Sequence, residues 1–586
     1  MGRRHGIHPE EGDLHIPGVW THPPGVRPRM RDVSDERTAK RTTGPARLRE
    51  FFPVAAAGAV AGLLAAFTSL TVAELTAAGV REEARPVNAV GGAVIDRTPA
   101  PVKDWAIATF GTHDKLVLQL GILALLGLFA IVVGVSAMRF RRAGALAVLG
   151  FGLFGALVAA GRPEGAGADA VPSLTGAVAG AAVLYVLAGT GLRMFPDRPG
   201  PGERAGRRGR AEPPGSGAAR TLGGMERRRF VVAATTVTAA SAGAGLLGHR
   251  LNAAGRARAA ASRAALGLPA PSSPAGAIPA GAGLDVPGLE PLITPNRDFY
   301  RIDTALSVPR VDVDDWRLTV RGLGVTRPLE LSFAELLERE LIERRITLTC
   351  VSNPVGGRYT GNAHWIGVRL ADLLAEAGVR PPSRGGPADQ LIARSVEGMT
   401  LGSPVETVLD GRDALLAVGM NGEPLPFAHG FPVRMVVPGL YGYVSACKWL
   451  TELELTTFDG YDAYWVERGW AARAPIKTQS RIDTPRGLAE LSAGPVAVAG
   501  VAWAQHTGID RVEVRVDDGP WTPAELAEED SVDVWRQWVW TWDATPGRHT
   551  LQVRATDRSG ETQTADRVGT VPDGATGRHA VVVTVS

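Results

Sequence analysis

Four long runs of uncharged, mostly apolar residues in the first third of the chain constrain its fold more than any other feature. They are residues 54–73, 116–138, 143–161 and 173–192. Each is close to the roughly 20 residues that a helix needs to cross a bilayer, and their many small residues suit close helix packing. The alternative, buried helices of a soluble core, requires four such uncharged helices close together. We therefore predict a membrane domain of four helices in residues 51–195.

A weaker fifth apolar segment, residues 230–248, directly follows three arginines (227–229). Arginines before a mildly apolar stretch are typical of a twin-arginine export signal, although such signals normally open a chain. We interpret the segment as a fifth membrane span with twin-arginine-like character. Cleavage in the Ala-rich residues that follow it stays an alternative.

Arginine and lysine are unevenly distributed among the segments between the spans. The counts are ten in residues 1–50, five in 81–115, three in 139–142, one in 161–172 and ten in 193–229. Because positive residues are retained in the cytoplasm, we place the N-terminal tail (1–50) and the Arg-rich loop (196–229) inside the cell. Five spans then put everything after about residue 250 on the extracytoplasmic face of the cytoplasmic membrane.

The rest of the chain divides into three parts by composition. Residues 249–283 are rich in Ala, Pro, Gly and Ser and are predicted to be a linker. Residues 284–484 mix short β-rich runs with amphipathic helix patterns, which predicts an α+β domain. In residues 485–586 apolar and polar residues alternate, and Asp517-Asp518-Gly519 is a hairpin signal. This pattern predicts an all-β sandwich of immunoglobulin type.

Three tryptophans alternate along one predicted strand of this last part, at positions 538, 540 and 542. They are explained by a core position, by contact with a second subunit, or by ligand binding. The net charge of +3 is too small to indicate a nucleic-acid partner.

Cysteine occurs only at positions 350 and 447, which excludes a disulfide framework and a four-cysteine metal site. Cys350 ends an apolar run and enters a polar, Gly-rich loop, TCVSNPVGG. Three interpretations stay open from the residues alone. Cys350 is an inert apolar side chain, forms a disulfide with Cys447, or is a thiolate ligand of a soft or high-valent metal.

His429, Arg434 and Lys448 stand among apolar and Gly-rich residues in the segment 424–456. Cations in a tight Gly-rich scaffold suit an anion, especially a phosphate. Solvated surface charges are the alternative. Lys448 is one of only five lysines in the chain, against 58 arginines, which favours a specific role.

Several of these stretches, in the same order, resemble the sulfite-oxidase family of molybdopterin-dependent oxidoreductases, which includes periplasmic methionine-sulfoxide reductase subunits. The similarity covers residues 285–586. The matching segments are TPNRDFYRID (294–303), TCVSNPVGG (349–357), HWIGVRLADLL (364–374) and HGFPVRMVVPGLYGYVSACKWL (429–450). The C-terminal β domain resembles the family's dimerisation domain. The chain is thus identified as a membrane-anchored bacterial member of this family, with 284–484 as its catalytic domain.

The resemblance implies one molybdenum–molybdopterin cofactor per chain. Cys350 matches the thiolate that binds molybdenum, and it is the implied catalytic residue. The positions that match the family's cofactor contacts are Asn296, Tyr300, Arg301, Ser395, His429, Arg434 and Lys448. The residues expected at the substrate entrance are Arg358, His364 and Arg473. Two departures concern this entrance: Pro295 replaces an arginine of animal sulfite oxidases, and His364 replaces the arginine of an A-R-W motif.

The function that the resemblance implies is a two-electron oxo transfer on a small anionic or sulfoxide-type substrate. No haem-binding cytochrome domain precedes the catalytic part in this sequence, so an external electron donor or acceptor is expected. A homodimer through the C-terminal domain and contact with the lipid bilayer are expected as well. A catalytically inactive binding or assembly protein is the alternative, against which the intact Cys350 argues. A transporter is disfavoured, because the spans carry no charge pair that would mark a substrate path.

Overall fold

The structure, a computed structural model, describes residues 45–81, 84–98, 102, 109–110, 114–162, 167–194 and 217–586. The predicted cytoplasmic tail and Arg-rich loop fall mainly on residues 1–44 and 195–216, which lie outside the described residues. Within the described part, six helices precede the first strand: Pro45–Ala77 (α1), Pro86–Arg97 (α2), Asp114–Ala137 (α3), Arg141–Ala160 (α4), Ala170–Met194 (α5) and Gly217–Ala265 (α6).

Five of these helices are long and apolar enough to cross a membrane, judged by length and composition. The four predicted runs and the fifth segment are all helical. The additional helix α2 contains a shorter apolar stretch, Pro86–Ile95, that the sequence analysis did not predict. The sequence analysis missed this helix because its apolar residues lie within the segment from Arg81 to Lys115, which is polar on average.

Small residues let the N-terminal helices pack closely. A Cβ atom added to Gly62 of α1 would lie 1.9 Å from the carbonyl oxygen of Ala130 on α3, so only glycine fits there. Helix α6 packs along α1, where the hydroxyls of Thr68 and Ser241 are hydrogen-bonded at 2.8 Å. Hydrogen bonds of this kind join helices where water is excluded.

The predicted linker 249–283 needs a correction, because α6 continues to Ala265 without a break. Residues after the helix are attached to the β-rich domain that follows rather than free. The amide nitrogen of Ser272 donates to the carbonyl of Leu341 at 2.8 Å, and Ser273 forms a parallel bridge with Ile342. The Ala and Arg residues that looked like a linker are strong helix formers, so the helix extends past the apolar segment.

The α+β prediction for the middle of the chain is confirmed as a β-rich domain with short helices. Its strands are Arg317–Gly322 (β1), Leu329–Ser332 (β2), Leu341–Thr349 (β3), Thr360–Arg369 (β4), Gln390–Ser395 (β5), Thr400–Pro404 (β6), Leu415–Met420 (β7), Glu423–Pro424 (β8), Arg434–Val436 (β9) and Leu450–Thr456 (β10). Its helices are Phe333–Leu337 (α7), Leu370–Glu376 (α8), Val405–Val408 (α9) and Gly442–Ser445 (α10). Ser332 caps α7 in a capping box with Glu335, as its sequence spacing predicts.

Two sheets build this domain. One has the order β2-β1-β10-β5-β6, and the other has the order β3-β4-β7-β8, with β9 also paired to β7. They share a large apolar core that includes Leu318, Leu453 and Leu416. A second cluster with Trp365 and Phe299 covers the other face of the β3-β4-β7 sheet. Strand β3 is therefore buried along its C-terminal half, and its end delivers Cys350 into the interior.

The last part of the chain forms two further sheets. Its strands are Gln479–Thr484 (β11), Glu490–Leu491 (β12), Gly494–Trp503 (β13), Ile509–Val516 (β14), Thr522–Pro523 (β15), Glu525–Leu526 (β16), Arg536–Ala544 (β17), Gly547–Asp557 (β18) and Ala580–Val585 (β19). The sheet orders are β11-β13-β17-β16 and β12-β19-β18-β14-β15. Trp538 and Trp542 are buried in the apolar cluster of this part, and Trp540 packs against it. The tryptophan ladder is therefore core.

Candidate functional site

A cavity lies in this β-rich domain, at the end of β3. Six of the eight predicted cofactor-binding residues line it: Tyr300, Cys350, Ser395, His429, Arg434 and Lys448. These residues come from segments up to 148 positions apart (448 − 300), and the sheets bring them to one place. The other two, Asn296 and Arg301, contact residues of the wall.

Cys350 is buried, and its backbone turns away from the sheet immediately after β3. Its amide nitrogen donates to the carbonyl of Tyr359 at 2.8 Å, which closes the polar loop. Its Sγ lies 3.0 Å from the hydroxyl oxygen of Ser352. Burial raises the pKa of the Cys350 thiol, against the opposing effect of Ser352. Both cysteines are free thiols, so the disulfide interpretation is wrong.

His429 ends a short 3-10 turn, and Gly430 follows it with a φ of 109°, a conformation that favours glycine. Its Nε2 lies 3.0 Å from the backbone carbonyl oxygen of Asn296. A carbonyl only accepts, so Nε2 carries the hydrogen. Burial, with a further contribution from Arg434, lowers the pKa of His429 to about 4. The imidazole is therefore neutral near pH 7.

Arg434 is a buried cation, 5% exposed, at the start of β9. Its Nη1 donates to the carbonyl of His429 at 3.2 Å, and its guanidinium lies 4.9 Å from the ring centroid of Trp365. Its Nε is buried without a hydrogen-bond partner, and no carboxylate of the described residues pairs with it. Burial lowers the pKa of Arg434 to about 10. Because an unpaired buried charge is costly, this side chain is arranged for an anion that enters the cavity.

Lys448 has a protein partner that the sequence analysis did not identify. Its Nζ donates to the carboxylate of Asp303 at 2.8 Å and to the carbonyl of Ile302 at 2.9 Å. Arg301 donates to the same carboxylate at 2.7 Å. Burial lowers the pKa of Lys448 to about 8, and Asp303 opposes this shift. Asp303 thus pairs with both Lys448, which lines the cavity, and Arg301, which does not.

Of the remaining predicted contacts, Ser395 and Tyr300 line the cavity and Asn296 does not. The hydroxyl oxygen of Ser395 is buried without a hydrogen-bond partner, so it is available to a ligand. Burial raises the pKa of Tyr300, which keeps its hydroxyl protonated. Asn296 lies outside the cavity, where its carbonyl holds His429 and its Nδ2 donates to Glu423 at 2.6 Å.

The three predicted entrance residues do not line this cavity. Arg358 faces Glu290 at 3.5 Å, and Arg473 lies 3.9 Å from Asp389. His364 lies on β4, with its Nδ1 3.3 Å from a carboxylate oxygen of Glu343. Other lining residues that the sequence analysis did not predict include Glu397, Cys447, Trp465 and Trp470. Only Cys447 carried a signal, as the neighbour of Lys448 in a matched segment.

Helix α6 supports this site directly. Arg263, in its last turn, donates to the carbonyls of Leu425 and Pro424 at 2.7 and 2.6 Å and to the carboxylate of Glu423 at 3.0 Å. Glu423 in turn accepts the hydrogen bond from Asn296. A continuous series of contacts thus runs from the helix to His429.

The donors in the cavity fit a molybdopterin cofactor. The unpaired guanidinium of Arg434 and the free hydroxyl of Ser395 suit its polar and anionic atoms. The described residues contain no cluster of three or more His, Cys, Asp or Glu that would hold a metal alone. A metal bound through Cys350 would therefore need further ligands from a bound cofactor.

Comparisons with known proteins agree with this geometry. The family described as "Oxidoreductase molybdopterin binding domain" matches residues 305–465. Mitochondrial sulfite oxidase of Mus musculus is 32% identical over 288 residues, which are 43% of this chain and 52% of that protein. The "Uncharacterized oxidoreductase YuiH" of Bacillus subtilis is 35% identical over 162 residues, 28% of this chain and 75% of that protein.

Among solved structures, the sulfane dehydrogenase SoxCD of Paracoccus pantotrophus has 26% identity and a TM-score of 0.43, covering 50% of this chain and 83% of that one. The chain spans about half the length of the sulfite oxidases that it matches. The region that the family model matches, residues 305–465, contains the cysteine loop, the His429–Arg434 segment and Lys448. The chain therefore belongs to the sulfite-oxidase family of molybdopterin-dependent oxidoreductases.

Proposed function

We propose that this protein is a membrane-anchored, extracytoplasmic oxidoreductase that transfers an oxo group to or from a small anionic or sulfoxide-type substrate in a two-electron reaction. The observation that carries the proposal is the pairing of a free, buried thiol (Cys350) with an unpaired, buried guanidinium (Arg434) in one cavity. A metal would bind the Cys350 thiolate, and an anionic cofactor would pair with the Arg434 guanidinium.

The molybdenum–molybdopterin group, one per chain, supplies the oxo-transfer and electron chemistry when bound. Cys350 must lose its proton to ligate the metal, and burial delays that loss until a metal cation is present. Arg434 and Lys448 hold anionic atoms of the cofactor. Neutral His429 is fixed by Asn296 through its Nε2 hydrogen, so its Nδ1 accepts a hydrogen bond.

Arg358 and Arg473 are proposed to receive the substrate anion as it approaches. Their side chains are 69% and 65% exposed, and their nearest carboxylates lie 3.5 and 3.9 Å away, so both are free to reorient. His364 is a weaker part of this proposal, because its side chain is only 24% exposed. Sulfite and methionine sulfoxide are the substrates to compare.

The location is proposed from the five long apolar helices and from the positive residues of the connecting segments. A reporter enzyme fused after Ser586 is expected to be active only outside the cytoplasm. Reporter activity only in the cytoplasm would refute the five-span arrangement. The C-terminal sheets are proposed to form an immunoglobulin-like sandwich that dimerises the protein. Because the tryptophans are core, the dimer rests on the family resemblance, and a monomeric mass in solution would refute it.

The decisive experiment is metal and pterin analysis of the purified full-length chain, followed by turnover. We expect one molybdenum and one pterin per chain, with either sulfite oxidation by ferricyanide or methionine-sulfoxide reduction by reduced viologen. Cys350→Ser is the matched control, in which turnover is lost. Bound cofactor without turnover on any oxo-transfer substrate would support the alternative, an inactive binding or assembly protein.

A further inference from the structure

The C-terminal domain covers the outer edge of β3, the strand that leads to Cys350. Strand β3 lies at the edge of its sheet. At Thr347 the C-terminal domain supplies the missing partners: the amide nitrogen of Thr347 donates to the carbonyl of Asp533 at 2.9 Å, and its hydroxyl accepts from the amide of Trp535 at 2.9 Å. Because buried backbone groups need partners, these bonds fix the last turns of the strand before the thiol.

A buried glutamine of the C-terminal domain extends this contact to the residue before Cys350. Gln505 follows β13 and is 4% exposed. Its Nε2 donates to the carbonyl of Thr347 at 2.9 Å and to the hydroxyl of Thr349 at 3.1 Å. Thr349 directly precedes Cys350, so the C-terminal domain holds the chain on the N-terminal side of the thiol.

On the other side of the thiol, an arginine of the C-terminal domain holds the cysteine loop. Arg481 lies on β11, and its side chain is 3% exposed. Its Nη1 donates to the carbonyl of Gly357 at 2.9 Å, and its Nε donates to the carboxylate of Asp483 at 2.5 Å. Since the guanidinium is a planar fork, bonding at two positions fixes its orientation, and Gly357 is held in a defined place.

The same loop packs against an imidazole without room for a side chain. Gly356 has a φ of 77°, and a Cβ atom added to it would lie 2.1 Å from Cδ2 of His579. The Nδ1 of His579 accepts a hydrogen bond from the amide of Ile482 at 3.0 Å, which fixes the ring beside Arg481. Only glycine fits at position 356 in this arrangement.

Hydrogen bonds within the loop connect these contacts to Cys350. The amide of Gly357 donates to the carbonyl of Pro354 at 2.8 Å, and the amide of Asn353 donates to the carbonyl of Cys350 at 3.0 Å. Residues 350–352 line the cofactor cavity. The loop therefore lies between the cofactor cavity and the C-terminal domain, and a displacement at Gly357 reaches the thiol through a short series of bonds.

We propose that the C-terminal domain positions the Cys350 thiolate toward the metal, with Arg481 as the positioning residue on the loop and Gln505 as the one on the strand. The inference rests on the proposed function, because it requires a metal in the cavity. Groups behind a metal ligand orient it and tune the metal. Neither Arg481 nor Gln505 lines the cofactor cavity, so both act through the segment that carries Cys350.

The test compares two arginines of the C-terminal domain. Arg481→Lys keeps a positive charge near Asp483 but lacks the fork that bonds Asp483 and Gly357 together. Arg536→Lys is the matched control, because Arg536 also donates to two carbonyls, those of Ala527 and Ile509 at 2.8 and 3.0 Å, and both lie within the C-terminal domain.

The first measurements use the full-length chain with its cofactor. In Arg481→Lys we expect unchanged molybdenum and pterin content, an altered molybdenum absorption spectrum, a kcat about ten-fold lower and a KM within about two-fold of the wild type. Arg536→Lys should lower the melting midpoint without these changes. Equal spectra and equal kcat in the two variants would show that Arg481 is merely structural and would overturn the proposal. If Arg481→Lys does not fold, Gln505→Met, which loses the donors to Thr347 and Thr349, replaces it with the same expectations.

The second measurement uses the full-length chain purified without cofactor. Alkylation of Cys350 by iodoacetamide is followed by mass spectrometry of the peptides, which separates it from Cys447. We expect alkylation about five-fold faster in Arg481→Lys than in the wild type or Arg536→Lys, for the loss of one hydrogen bond. Equal rates in all three chains overturn the positioning role. Absence of molybdenum from the purified wild type would instead reject the proposed function, and the alkylation rates would still decide whether Arg481 holds the loop.

Discussion

Arg263 joins helix α6 to the cofactor site, and its removal tests that connection. Arg263→Ala deletes hydrogen bonds to Pro424, Leu425 and Glu423 that are 2.6, 2.7 and 3.0 Å long. The side chain is 23% exposed, so water replaces part of what is lost. One hydrogen bond to a charged group contributes about 1.5–3 kcal/mol, and the three are not additive. We expect a loss of about 2 kcal/mol, which lowers the melting midpoint by about 4 °C in a domain of this size.

The second consequence concerns the cofactor. Without Arg263, Glu423 loses its cationic partner, and the Asn296 that holds His429 loses a fixed neighbour. We therefore expect lower molybdenum and pterin content per purified chain. Arg263→Lys should recover part of the stability, because it restores the charge near Glu423 but cannot bond all three acceptors.

The assay is thermal unfolding of the full-length chain in detergent, with metal analysis of the same preparation. Arg258→Ala is the control, since Arg258 is exposed on the same helix. If Arg263→Ala and Arg258→Ala melt together and carry equal molybdenum, α6 does not support the site and the reasoning is wrong.

Three further predictions concern the cofactor cavity. Cys350→Ser is expected to fold and keep pterin but lose nearly all turnover. Cys447→Ser, which buries a hydroxyl, should lower the free energy of unfolding by about 1–3 kcal/mol and leave the molybdenum spectrum unchanged. Loss of that spectrum in Cys447→Ser would contradict this. Arg434→Ala should lower cofactor occupancy and the melting midpoint of the holoprotein, and full occupancy would show that the cation is not a cofactor contact. Stability should fall between about pH 6.5 and pH 4, because burial lowers to about 4 the pKa values of His429 and of His579, which lies directly before β19 and outside the cofactor cavity, so the unfolded chain binds protons that the folded chain does not. Urea midpoints measure this loss, and replacing both histidines with Gln should flatten it.

The cofactor residues within motifs were predictable from the sequence. Cys350 and the His429–Arg434 segment stand in runs whose order and spacing are specific. Asp303 was missed as a partner because its contact with Lys448 joins residues 145 positions apart. Asp303 ends a segment that resembles the family, but the sequence does not show its pairing with Lys448, and the burial of that pair appears only when the sheets are assembled.

The extent of α6 was missed for a different reason. The sequence analysis used apolar periodicity to identify helices, and residues after 249 have none. Alanine and arginine favour helix without any apolar face, so the helix continues as long as its propensity lasts. His364 does not line the cofactor cavity because its side chain lies beside Glu343, on the opposite face of β4 from its buried neighbour Trp365.

The unbroken helix α6 makes the link between the proposed membrane domain and the catalytic domain stiff. Its 49 residues span about 74 Å at 1.5 Å per residue, against about 30 Å for the hydrocarbon layer. Each residue also turns the helix by about 100°. Deleting one residue between Leu251 and Arg258 would therefore rotate the catalytic domain about the helix axis and separate Leu306 from Gly91 of α2, against which it packs. Deleting seven residues, close to two full turns, would mainly bring the catalytic domain closer to the N-terminal helices. The number of residues in this stretch thus determines the rotation of the catalytic domain about the helix axis as well as its distance from the N-terminal helices.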